Sequence, residues 1–217
     1  ICHLYLYIMK DHHNCNNPGD FSIKDCLFDS CRSSSSEGGA VCVSFASERV
    51  SIIDHSTFRN CSSTMEAGAL YIKLNLVNLS RICYERCFST LQIYCTYEIT
   101  NSCNSNQTTI TQSTPEHIKS LCLAVTGETN LNNDINISHT VCSGYGFLYL
   151  AARTNEHIAT NVNIFNCTGS PLINNDMKFI TNMSKLNVIS CSYSVDPVVF
   201  YLTPGSSITD LLLVDAA

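Results

Sequence analysis

Short apolar runs recur along the whole chain, each bounded by Gly, Ser, Asn or Pro, and several alternate apolar with polar residues. Runs such as Val41-Cys42-Val43, Leu70-Tyr71-Ile72, Leu121-Cys122-Leu123, Phe147-Leu148-Tyr149-Leu150 and Val198-Val199-Phe200-Tyr201 have the length and the β-branched and aromatic content of strands. No stretch combines helical apolar periodicity with helix caps, so the pattern predicts an all-β chain.

The runs repeat. CLFDSC (26–31), STFRNC (56–61) and ICYERC (82–87) each end in Cys with an aromatic residue three places earlier. Taking the last position as an anchor, the register continues as Cys31, Cys61, Cys87, Ser113, Cys142, Cys167 and Cys191, in steps of 30, 26, 26, 29, 25 and 24 residues. A further step of 25 reaches Ala216. A period this short, with at least two strands and no crossover helix, does not accommodate a βαβ unit, and it lacks leucine-rich-repeat spacing. It predicts a right-handed parallel β-helix, a solenoid of about eight coils stacked at about 4.8 Å, a rod on the order of 35 to 40 Å long. Inward residues then stack on like residues of adjacent coils, as Val162 with Ile164 and Leu186 with Val188 suggest by their spacing before the anchors. Residues 1–217 read as a single solenoid segment, a piece of a longer chain.

Two strings punctuate the early coils: Gly38-Gly39-Ala40-Val41 and Ala67-Gly68-Ala69-Leu70. A turn entering a strand uses Gly for unusual φ or for close backbone approach. Together with Phe58-Arg59-Asn60-Cys61, these strings resemble the repeats of polymorphic outer-membrane-type proteins and of the Cys-rich surface families of parasitic protists. The resemblance spans residues 21–76 and implies a β-helix presented at the cell surface and engaged in adhesion. The family's Phe-x-x-Asn form is one residue shorter here, as Phe58-Arg59-Asn60.

Composition narrows the partners. Eighteen acidic against twelve basic residues give a formal charge of -6, spread along the chain, which argues against nucleic acid. Charged residues make up only 14% of the chain, so its surface must be solvated by Ser, Thr and Asn, as in many extracellular β-proteins. The apolar start, residues 1–9, contains His3 and is far shorter than the roughly 20 residues of a spanning helix, so any membrane anchor is expected from segments outside this chain. Six Asn-x-Ser/Thr sequons, at Asn60, Asn78, Asn106, Asn136, Asn166 and Asn182, are glycosylation candidates and agree with a secreted or surface location.

Fourteen Cys invite a disulfide framework, yet six are anchors. Parallel neighbours on adjacent coils are close enough to bridge, but their Cβ atoms point alike and give poor disulfide geometry. A ladder of free thiols is expected, with any bridges among off-ladder residues such as Cys2, Cys15, Cys95 and Cys103. No metal site is expected: His12-His13-x-Cys15 has no second half, and no Cys-x-x-Cys pair occurs. No cofactor fingerprint or nucleophile elbow occurs either. Aligned coils place Asp29, Arg59 and Glu85 in one row, a charged patch that a solvated ion-pair ladder explains as well as a catalytic carboxylate set does. The expected function is therefore a cell-surface or secreted scaffold, an adhesin-like binding module without catalysis whose partner is a host-cell or matrix protein or a glycan. A polysaccharide-active β-helix enzyme is the alternative. Loops at 32–37, 101–106 and 126–134 are the expected contact surfaces.

Overall fold

The computed structural model describes residues 2–5, 8–9, 13–15, 20–35, 37–44, 50–65, 67–89, 93–112, 120–127, 129–152, 157–170, 173–174, 181–192, 200–201 and 204–215. Side chains are described for 20–35, 37–44, 50–65, 67–89, 102–112, 131–141, 157–169, 182–192, 200 and 204–215. Every strand pairing is parallel, and coil upon coil the strands build a β-solenoid without helix among the described residues. The solenoid has about five turns, somewhat fewer than the eight coils expected, and the strands Cys2–Tyr5, Ile8–Met9 and His13–Cys15 stack on the coil that carries the first anchor.

Each coil crosses three faces. Residues 50–54, 76–80 and 102–106 lie on the first face, 56–59, 82–85 and 108–111 on the second, and 41–44, 70–73 and 95–98 on the third. A small extra sheet joins Arg32–Ser33, Ser62–Ser63 and Phe88–Ser89. Strands are longer than the sequence pattern suggests. Leu70–Glu85 and Ile93–Thr111 run without interruption from the third face to the second.

The bends within these long strands come from residues in the left-handed region. Asp25, His55, Arg81, Gln107, Asp134, Asn161, Lys185 and Asp210 stand at the corner between the first two faces, with φ between 49° and 56°. Ser30, Asn60, Arg86, Gln112, His139, Asn166, Ser190 and Asp215 stand five residues later at the end of the second face. Side chains of L residues pay for this conformation with Cβ crowding, which the stacked hydrogen bonds on either side hold in place.

The corners reverse the inward and outward alternation locally, so the residue after each corner points into the core. After the second corner come Cys31, Cys61, Cys87, Thr140, Cys167 and Cys191, all buried. The fourth of these, Thr140, corrects the sequence register. Val162 pairs with Ile135 and Ile164 with Ile137, which puts Thr140 where Cys142 was expected, and Cys142 pairs with Gly169, two residues past Cys167. Ser113 lies outside the described residues.

Three more expectations are corrected by the strands. Residues 102–106 and 129–133 are not loops but first-face strand, and Arg32–Ser33 also pairs in a sheet. Ser102, Asn104, Asn106 and Asn133 stand in outward rows, while Ser33, Ser105 and Asn132 are buried.

Inside, like residues stack. Phe28, Phe58 and Tyr84 form one column, with ring centroids 4.8 and 5.2 Å apart and rings within 17° of parallel. Ile110, Ile137, Ile164 and Val188 continue it down the rod. The Gly positions meet the sequence expectation in both of its forms: Gly38 has φ +67°, while a Cβ on Gly39 or Gly68 would collide with backbone carbonyls of the adjacent coil.

Candidate functional site: the outward ladders

What leaves the core side of each strand is a set of outward rows, one side chain per coil. On the second face the row Asp29, Arg59, Glu85 is continuous in register. Arg59 donates to both Asp29 carboxylate oxygens, at 3.2 and 2.9 Å, and Ser30 Oγ and Asn60 Nδ2 add donors at 3.3 and 3.5 Å. The Arg59 hydrogen bonds hold the Asp29 carboxyl below the usual range and push the Arg59 guanidinium up, with Glu85 contributing from the far side. This patch is the one expected from aligned coils, and its acids flank the cation.

The first-face corner carries two further cross-coil pairs. Arg81 grips Asp54 through both carboxylate oxygens, at 2.9 and 2.7 Å, and lowers its pKa. His55 Nδ1 lies 2.6 Å from Asp25 Oδ1, with both side chains about half exposed. Arg86 donates to Gln112 Oε1 at 2.8 Å.

Further along the rod, amide side chains make the cross-coil bonds that arginines make in the first coils. Asn187 donates to Asn163 at 2.7 Å and Asn163 to Asn136 at 2.9 Å, a three-amide ladder on the second face. Asn161 donates to Asp134 at 2.8 Å at the first corner, and Thr160 donates to Asn133 beside it. Sequence reasoning missed these ladders. The recurrence of Asn at coil-length steps, 27 and then 24, was the signal that reveals them.

On the first face, Lys24, Ile52, Asp54, Asn78, Asn104 and Leu131 border an open groove of about 470 Å³. Asn104 Nδ2 donates to Asn78 Oδ1 at 3.0 Å across its floor. Ile52 and Leu131, 39% and 37% exposed, stand in the same outward row as the two amides.

All six sequon asparagines are at least partly exposed on this side of the rod. Asn60 and Asn166 occupy second corners, Asn78, Asn106 and Asn182 the first face, and Asn136 the second.

The cysteines divide by direction. Cys61, Cys87, Cys167 and Cys191 each aim Sγ at the carbonyl two residues back and at a carbonyl of the preceding coil, 3.3 to 3.7 Å away. Thr140 makes the same bond to Ser138 O at 2.9 Å, as Ser56 does to Asp54 O at 3.0 Å. The anchor therefore calls for a small inward residue with a γ donor, which a thiol or hydroxyl supplies. Cys26, Cys31, Cys42, Cys61, Cys83, Cys87, Cys103, Cys167 and Cys191 are free thiols. Cys103, expected as a bridging residue, is thus a buried thiol, and burial pushes its pKa up to about 12. The hydrogen bond from Cys167 lowers Cys191 against the cost of burial. The side chains of Cys2, Cys15, Cys95 and His12 lie outside the described residues, and among the described ones no cluster of His, Cys, Asp or Glu could hold a metal.

No family model, no curated protein and no solved structure matches the chain.

Proposed function

We propose that the chain is a rigid display and binding rod of the cell surface or extracellular space, an adhesin-like module that recognises its partner through the outward rows and performs no catalysis. One observation carries this reading. Asp25, Asp29 and Asp54, three carboxylates on the outward side of the first coils, are each tied to a side chain of the next coil: Asp25 to His55, Asp29 to Arg59 and Asp54 to Arg81. A hydrolytic or eliminating site uses carboxylates set apart to work as acid, base or metal ligand. The resemblance of residues 21–76 to surface-family repeats, the low charge density and the six outward sequons support the same reading.

The test is brief external protease treatment of intact host cells, with this segment followed by antibody. Loss of the signal is the expected result. Full protection, with digestion in permeabilised controls, sinks the surface assignment. Incubation of the intact chain with xylan and polygalacturonate adds a check on the catalytic alternative: new reducing ends or unsaturated products would overturn the noncatalytic half.

A further inference from the structure

We infer that the first-face groove is a binding site for an extended, hydroxyl-rich polysaccharide strand lying along the rod axis, a ligand class that deepens and rests on the binding-module reading. One outward row runs through the groove coil by coil as Ile52, Asn78, Asn104 and Leu131, and goes on beyond it as Ile158 and Asn182. Coils repeat at about 4.8 Å, so Ile52 and Leu131 are about 14 Å apart, a span of about three sugar rings.

The chemistry alternates in the way a glycan does. A sugar ring has apolar C–H faces and hydroxyl edges, and the part of the row that lines the groove has an apolar side chain at each end and two amides between. Asn104 Nδ2 donates to Asn78 Oδ1, which fixes both amide planes. That leaves the Asn78 amide nitrogen as a donor at one end of the pair and the Asn104 carbonyl oxygen as an acceptor at the other, placed to meet hydroxyls of successive sugar rings. Pockets that bind small groups combine apolar walls with a few convergent polar atoms in this manner.

Charge argues against a polyanion. The one acid and one guanidinium in the groove, Asp54 and Arg81, close on each other in a bidentate pair, and Lys24 is the remaining cation at the rim. A nucleic acid or a densely sulfated chain needs an array of cations here.

Asn78 and Asn106 both line the groove, and a glycan on either would fill it. The inference therefore requires these two sequons to be unoccupied in protein from its own host.

The experiment is native affinity electrophoresis of the full chain, made without glycosylation, through gels containing xylan, dextran or hyaluronate, together with site-specific glycan mapping of host-derived protein. Retardation by xylan or dextran is expected. The dissociation constant should rise at least tenfold in Asn78→Ala/Asn104→Ala and in Ile52→Asp, and stay unchanged in Ser44→Ala, an exposed position on the third face. Circular dichroism and melting confirm that each variant is folded, and Leu131→Ser provides a second, milder probe of the far end. Retardation by none of the three polymers, by hyaluronate alone, or equally in all variants overturns the proposal, as does a glycan on Asn78 or Asn106. A chain removed by external protease that fails in the gels loses this inference and keeps the display reading. A chain that binds xylan but is protected in intact cells does the reverse.

Discussion

Replacing Phe58 by Ala is the most direct probe of the column that organises the first coils. Phe58 is fully buried and lies between Phe28 at 4.8 Å and Tyr84 at 5.2 Å, both nearly parallel to it. Truncating a buried Phe costs about 3 to 5 kcal/mol, part of it cavity, because neighbours collapse only partly. Here the two stacked contacts, worth about 0.5 to 1.5 kcal/mol each beyond area burial, are lost together, which places the expected cost near the upper end, about 4 to 5 kcal/mol. The solenoid then adds a spatial prediction. Each coil touches only its neighbours, so the damage should be confined to coils around residues 21–89 while residues 157–192 keep their protection. Hydrogen exchange read by mass spectrometry resolves this, with urea unfolding for the total; the chain has no Trp, so circular dichroism is the probe. Phe58→Leu, which keeps apolar volume but loses stacking, should cost about 1 to 2 kcal/mol, toward the low end of core substitutions. A loss under about 1 kcal/mol in Phe58→Ala, or a uniform loss of protection from end to end, would refute the stacked-column reasoning.

Three further outcomes follow from the same geometry. Gly68→Ala should destabilise the chain by about 2 kcal/mol or more, because the new Cβ meets the Phe88 backbone of the next coil; an unchanged melting temperature would contradict the close approach. Thiol titration should find Cys31, Cys61, Cys87 and Cys167 unreactive in the native protein and several free groups after denaturation without reductant, with partly buried Cys83 reacting before them; no free thiol after denaturation would end the ladder reading. Asp54 has a folded pKa below its unfolded value, so its pairing stabilises above the unfolded pKa of about 3.9 and is lost as pH falls through the folded value. Asp54→Asn should therefore flatten the acid limb of the stability curve slightly, by less than about 1 kcal/mol because the pair is partly exposed, and the difference should shrink with salt.

The sequence made the solenoid legible because three Cys-ended strings share one register and carry Phe28, Phe58 and Tyr84 at one place. It failed at the fifth coil for a chemical reason. The anchor selects a γ donor, and Thr140 provides one, while Cys142 nearby looked like the expected residue. The corners left only a faint trace in residue type: all are polar and seven are Asp or Asn, yet none is Gly. Their signature is spacing, five residues within every coil. The charged row Asp29, Arg59 and Glu85 was legible because oppositely charged residues align once the period is known. The groove was not, since its amides sat in stretches whose Asn content mimics loops, and only strand register turns that content into a surface.

The fixed interval between the two corners also decides where this protein can change length. Coil steps range from 24 to 30 residues, yet the five-residue interval is constant, so all insertion and deletion is absorbed between the second corner and the next first corner. A single residue gained within the interval would turn the inward set outward and set Phe58 or its counterpart against water. Lineages of this chain, and engineers grafting epitopes onto it, are thereby steered to the same side of the rod: foreign loops fit on the third-face side, while the first two faces can vary only by substitution.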